Sequence, residues 1–228
     1  MAEWYEAKKE ILQSLYQYRV MSPQQLSILL GYQQASIYRV GSELQKQGWV
    51  SSVLLPFLKG NSKGYTLTLS GAKEAAYLCG EGDDFSARLW TDVPRQLEHS
   101  YGTNEFFVRL IQHSLNCLEE GLEEWMGTRD ISNLYARFEN NFKKMKMLIK
   151  PDGYGTYRYV NDERLVFHLE YDTGSESLWR LQDKLWNYAR YLRSSWGKKI
   201  DQVHVLVITR GASRVKHILD LWESLREG

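Results

Sequence analysis

Two groups of side chains have the types and spacing to do chemistry. The first is acidic. Asp152, in Lys150-Pro151-Asp152-Gly153, precedes Glu170 and Asp172 of His168-Leu169-Glu170-Tyr171-Asp172-Thr173-Gly174. Carboxylates on adjacent strands are hard oxygen donors of the kind that hold Mg²⁺, and a lysine beside them stabilises an attacking water or a developing charge. Alternation along a strand puts Glu170 and Asp172 on one face. Lys184 and Tyr188 lie four apart, hence on one face of a helix. Asp152, Glu170 and Asp172 are therefore the candidate metal ligands. Asp152, Glu170 and Lys184 are the candidate catalytic set if the site turns over, with Glu105 as an added acid. The second group is polar and basic. Gln33, Gln34, Ser36, Arg39 and Lys46 follow the turn at Gly31, and Lys59 and Lys63 flank Gly60-Asn61-Ser62. Glutamine pairs with adenine and arginine with guanine through two hydrogen bonds each, and lysine neutralises phosphate. Between Arg39 and Lys63 stand four basic residues and one acid, Glu43.

The elements that must carry these groups follow from hydrophobic spacing. Ile11, Leu12, Leu15 and Tyr16 predict an amphipathic helix over 6–18. Ser22-Pro23 reads as an N-cap followed by proline at the first helical position, and Gly31 as the stop. A third helix runs from Gln34 through Ile37, Tyr38, Val40 and Leu44 to Gln47. Residues 50–69 read as a hairpin with a basic tip at 59–64, then a helix with Ser70 as its cap. Residues 81–93, opening with Glu81-Gly82-Asp83-Asp84, are a linker by composition. A helix over 94–120 follows. Strands are expected at 125–129, 142–149, 165–171 and 203–208, with a helix over 176–195 between the last two and another over 214–225. The fold class is α+β: an N-terminal winged helix-turn-helix in 1–80, then an α/β domain in 94–228.

Composition narrows the function classes. The 228 residues carry 29 basic and 28 acidic side chains, a net charge of +1, so any nucleic-acid site must be a local patch. Two cysteines are too few for a disulfide framework or a four-cysteine zinc site, which points to a cytoplasmic setting. Residues 1–9 have no apolar core of a secretory leader, and no apolar run is long enough to span a bilayer, so no membrane partner is expected. The five histidines lack a His-Glu-x-x-His spacing, and no phosphate-binding Gly-Lys-Ser/Thr or Gly-x-Ser-x-Gly is present. No His-hydrophobe-His pair supports nicking through a tyrosyl-DNA intermediate. Lys143, Lys144, Lys146, Lys150, Arg190, Arg193, Lys198 and Lys199 surround the acidic group and could follow phosphate, although such runs are equally solvated faces.

Blander readings of the same residues stand beside these. Pro-Asp-Gly is a common turn. Asp172-Thr173-Gly174-Ser175 is equally a turn with a helix cap. Helix-turn-helix modules also serve protein contacts, which makes a protein-interaction adaptor the third function class. The pattern of the second half resembles the PD-(D/E)xK nucleases, whose core runs helix, three strands, helix, strand. The run Glu170-Tyr171-Asp172-Thr173-Gly174 is similar to the Asp-Tyr-Lys-Thr-Gly of RecB-type nucleases with acid in place of lysine. Lys184 and Tyr188 occupy the place of their Gln-x-x-x-Tyr.

Taken together, the N-terminal helices, the helix with His99 and Asn104, Pro151-Asp152-Gly153, residues 169–174 and residues 184–188 resemble the replication-relaxation family of bacterial mobile-element proteins. The resemblance implies a double-stranded DNA-binding protein acting in replication or relaxation of a plasmid or integrated element, or in its transcriptional control. It implies no established catalytic mechanism. A Mg²⁺-dependent endonuclease is the alternative activity. No cofactor is otherwise required. The expected partners are double-stranded DNA, a second copy in a homodimer, and replication or mobilisation proteins.

Overall fold

The computed structural model describes residues 2–60, 62–87, 90, 94, 96–132, 149–193 and 204–226. It is a mixed helix-and-sheet protein of the α+β class, and its internal contacts divide it into Met1–His113 and Ser114–Gly228.

The first unit begins with α1 (Ala2–Tyr18), α2 (Pro23–Leu30) and α3 (Gln34–Lys46), followed by the hairpin β1 (Val50–Leu54) and β2 (Lys63–Leu67). The N-terminus of α2 is fixed by a reciprocal pair. The Gln25 N–H donates to Ser22 Oγ at 3.1 Å, and the Ser22 N–H donates to Gln25 Oε1 at 3.0 Å. Gly31 closes the helix in the left-handed region with φ 72°, as its type predicts. The buried positions of α3 are Ile37, Val40, Gly41 and Leu44; the helix packs against α1 and α2, where Ile11, Leu15 and Leu26 are buried as well. Met21, between α1 and α2, exchanges backbone hydrogen bonds with Tyr65 at 3.2 and 2.8 Å, so the hairpin is stitched to the helices. Gly41 lets α3 approach this strand: a Cβ there would lie 2.7 Å from the Tyr65 ring.

Next come α4 (Leu69–Leu78) and α5 (Leu97–Asn116). The cap of α4 is Thr68, not Ser70; its Oγ1 accepts from the Gly71 N–H at 3.1 Å and donates to the Gly48 carbonyl at 2.6 Å. Of the expected linker, Glu81 accepts a hydrogen bond from Tyr16 at 3.2 Å, and Trp90 stacks on Tyr16 with centroids 5.6 Å apart. Buried Asn104 of α5 donates to the carbonyls of Tyr18 and Val20 at 3.0 and 2.7 Å. These bonds join α5, through His113, to the first unit.

The second unit contains a four-stranded sheet in the order β3 (Gly121–Gly127), β4 (Gly153–Arg158), β5 (Arg164–Tyr171) and β6 (His204–Ile208). The first two pairings are antiparallel and β5–β6 is parallel. A parallel pair needs a crossover, and α6 (Leu178–Arg193) lies between those strands in the chain. The chain ends in α7 (Ala212–Arg226), whose Ile218 and Leu225 pack with Leu181 and Leu185 of α6. Pro151-Asp152 leads directly into β4, a strand the hydrophobic spacing did not predict. Gly153 of the expected Pro-Asp-Gly turn instead pairs with Leu169, and Gly155 with Phe167, on a buried strand. Most of the strand expected at 142–149 lies outside the described residues, as do Lys143, Lys144, Lys146, Lys198 and Lys199.

Gly71 tests the packing of the first unit. A Cβ on it would fall 1.9 Å from the Trp49 carbonyl oxygen, a backbone atom that cannot rotate away. Gly71→Ala is expected to destabilise the protein by about 2–3 kcal/mol, at the upper end for overpacking. Gly82→Ala, whose Cβ would meet ordinary contacts of 3.5 Å, should change stability by only about 0.5 kcal/mol or less. Urea unfolding of both variants checks the contrast.

Candidate functional site

In the first unit, burying Ile37, Val40, Gly41 and Leu44 turns the opposite side of α3 outward. Gln33, Gln34 and Arg39 are exposed near its start and Lys46 near its end, while Ser36 is half-buried. Tyr38, which the spacing had placed among the apolar positions, is 52 % exposed and shares the outer face with Ser42. The helical wheel carries this signal, since the buried stripe at 37, 40, 41 and 44 leaves 38 outside. Glu43 is the acid on this helix, and Lys8 of α1 reaches it at 3.1 Å. That ion pair offsets the local negative charge. Lys59 and Lys63, at the hairpin tip, are both exposed.

In the second unit the structure brings Asp152, Glu170 and Lys184 together. The Asp152 N–H donates to the Leu169 carbonyl at 2.9 Å, extending β4 against β5, and Asp152 Oδ2 accepts from the Tyr171 N–H at 2.8 Å. Glu170 is buried, with Oε2 accepting from Lys184 Nζ at 3.1 Å and Oε1 from the Tyr188 hydroxyl at 2.5 Å. The i,i+4 spacing of Lys184 and Tyr188 therefore does deliver both donors to one carboxylate. Glu176, which the motif reading did not include, meets Lys184 Nζ at 3.3 Å. Burial and then the charge of Asp152 push Glu170 up to about 7, against the pull of Lys184 and Tyr188. Burial alone would lower the Lys184 ammonium, but Glu170, Asp152 and Glu176 raise it above its ordinary range. His168, on the same face of β5, is fully buried among the rings of Tyr154, Tyr188 and Tyr191. Burial lowers its pKa to about 4, so it is neutral at pH 7.

Asp172 is bonded apart from this group. It lies beyond the end of β5, where its oxygens accept from Arg214 Nε at 2.7 Å, Arg214 Nη2 at 3.2 Å, Thr209 Oγ1 at 2.8 Å and the Gly174 N–H at 2.9 Å. Burial raises its pKa, but these hydrogen bonds outweigh it and hold the carboxyl below its ordinary range. The Gly174 N–H bond to Asp172 bends the chain here, and α6 begins only at Leu178. Nothing local pointed to Arg214, which is 42 residues distant in sequence. Glu105 is likewise committed elsewhere, accepting from Gln25 Nε2 at 2.9 Å and Arg109 Nε at 2.8 Å.

A family model described as replication-relaxation matches residues 12–206, and the chain belongs to that family. Membership ties it to replication-related function. A search of curated proteins finds no match. Among solved structures, the chain is similar to a mutant of Lactococcus lactis ZitR in its apo form, at 13 % identity and a TM-score of 0.32, over 60 % of this chain and 86 % of that one. Among the described residues no helix is long and apolar enough to cross a membrane.

Three substitutions test the ionic arrangement. Arg214→Ala leaves the Asp172 carboxylate, 3 % exposed, without its counter-charge, and Arg214 itself is 15 % exposed. Removing one partner of so buried a pair should cost about 2–3 kcal/mol. Arg214→Lys should recover only part, because an ammonium cannot reproduce both guanidinium contacts. Glu170 supplies a pH signature. Between its ordinary 4.5 and about 7 the folded chain holds a proton that the unfolded chain has released. Its contribution therefore falls as pH rises through that window, and Glu170→Gln should flatten the fall in a urea titration from pH 5 to pH 8.

Proposed function

We propose that this chain is a double-stranded DNA-binding protein of a plasmid or other mobile element, acting in replication or relaxation of that element or in its transcriptional control. The observation that carries this reading is the outer face of α3. It sets Gln34, Tyr38, Arg39, Ser42 and Lys46 toward solvent, with Lys59 and Lys63 exposed on the hairpin. Three helices followed by a stitched hairpin are the order of a winged helix-turn-helix, in which the third helix enters the major groove and the hairpin touches phosphate. Family membership adds replication as the context. Binding as a homodimer would let two half-sites multiply the affinity, with replication or mobilisation proteins as further partners.

The second unit reads best as a PD-(D/E)xK nuclease-like domain without turnover. Its three antiparallel strands, the helix after them and the added parallel strand support the fold, with α5 of the first unit preceding them in the chain. The donor set does not fit a resident divalent ion. Both Glu170 oxygens and one Asp152 oxygen already accept hydrogen bonds, and the third expected ligand, Asp172, is held by Arg214. The convergence of Asp152, Glu170 and Lys184 favours one rival, a Mg²⁺-dependent endonuclease. That rival predicts plasmid cleavage lost in Asp152→Ala, whereas our reading predicts intact plasmid for both proteins with Mg²⁺ or Mn²⁺.

The DNA interface is tested by a gel shift at moderate salt. Arg39→Ala combined with Lys63→Ala should weaken retention of duplex DNA by about tenfold or more while the fold, followed by circular dichroism, is kept. Unchanged retention would instead favour a protein-interaction adaptor in which the helix-turn-helix is structural.

A further inference from the structure

The exposed side of α6 has a feature that its core packing does not require. Leu181, Leu185, Tyr188 and Ala189 are buried, so the helix has one complete inner face. Opposite them, Trp179 is 61 % exposed and Trp186 40 % exposed. Seven residues are 20° short of two full turns, so the two indoles lie on one line, about 10.5 Å apart along the axis. Between them the face is polar, with exposed Gln182 and Asp183. The Arg180 guanidinium lies 5.4 Å from the centre of the Trp179 ring, and exposed Arg190 is one turn beyond Trp186. Two arginines against one aspartate leave the face cationic.

A helix that docks into a protein groove presents a continuous apolar line at i, i+3, i+4 and i+7. This face breaks that line with an amide and a carboxylate, leaving two separated π surfaces beside guanidinium groups. Such an arrangement suits a ligand that alternates flat apolar groups with negative charge, and that is a single strand of nucleic acid. Each base offers a π face to an indole whatever its identity, and the phosphates between bases match the arginines. The indole separation equals about three base steps of about 3.4 Å, so both rings can stack on one short strand.

We infer that the outer face of α6 is a single-stranded DNA platform, with Trp179 and Trp186 as stacking surfaces and Arg180 and Arg190 as phosphate contacts. The inference rests on the reading that this chain works on DNA, and it adds a second form of DNA on a different face. A strand separated during replication or relaxation is the form this platform would hold.

The test is fluorescence anisotropy of the full chain with a labelled oligo(dT) of about 20 nucleotides, run beside a labelled duplex. Trp179→Ala combined with Trp186→Ala should weaken oligo(dT) binding about tenfold or more, as loss of two stacking surfaces requires, and leave duplex binding unchanged. Both positions are exposed, and a circular dichroism melt confirms the fold. The double Trp→Phe variant, which keeps a π face at each position, should retain most of the affinity. Arg39→Ala with Lys63→Ala should show the reverse pattern, with duplex lost and oligo(dT) kept. Undetectable oligo(dT) binding by the unsubstituted chain at low salt would overturn the inference, as would equal affinity of the double alanine variant. Tryptophan-dependent oligo(dT) binding without any duplex binding would sustain it and remove the duplex reading instead.

Discussion

Helix α3 can bury only one side, and that constraint governs what the first unit offers to a partner. Ile37, Val40, Gly41 and Leu44 are buried because α1, α2 and β1 pack against this helix and Tyr65 of β2 reaches Gly41. Gly41 is needed for Tyr65 to come close, and Tyr65 in turn exchanges backbone hydrogen bonds with Met21. The outer residues are thereby held on a rigid element, not on a loop, and their spacing is fixed by the helix. A reading helix must be held in this way, since bidentate contacts to a base tolerate little displacement. The pairing of Lys8 with Glu43 belongs to the same logic, because it removes repulsion from a face that would meet phosphate.

The second unit is organised around charge taken out of water. A buried carboxylate such as Glu170 is costly unless it gains partners, and it gains an ammonium and a phenol from successive turns of α6. Asp172 gains a guanidinium from α7 at two of its nitrogens. Arg214 also donates to the Glu176 carbonyl at 2.7 Å, and the Glu176 side chain meets Lys184. The end of β5, the start of α6 and the start of α7 are thus joined by one ionic chain. This arrangement gives each buried carboxylate of the unit a partner that offsets its loss of hydration.

Much of this could be read from the sequence, for identifiable reasons. Ser22-Pro23, Gly31 and the apolar spacing of α1 and α3 are local signals, and local physics decides those helices. Lys184 and Tyr188 converge on Glu170 because helical spacing alone brings them to one face. The errors arose where the deciding partner was distant or the cue ambiguous. The ion pair of Asp172 with Arg214 was not legible because the partner lies 42 residues away. β4 was missed because its glycines also signal turns. Thr68 replaced Ser70 as the cap because the strand ended two residues earlier than its pattern suggested. Asn104, whose amide ties α5 to the α1–α2 connection, was singled out only through the family resemblance, and no local pattern showed what it would bond.

The account depends most on the outer face of α3 and the hairpin tip meeting phosphates as well as bases. The dependence of duplex affinity on salt measures that directly. Each phosphate neutralised contributes about −0.9 to the slope of log K against log salt concentration. Arg39, Lys46, Lys59 and Lys63 together predict a slope of about −3 to −4 for one copy of the chain. A slope near zero would mean that duplex DNA is not held by this cationic face and would contradict the account.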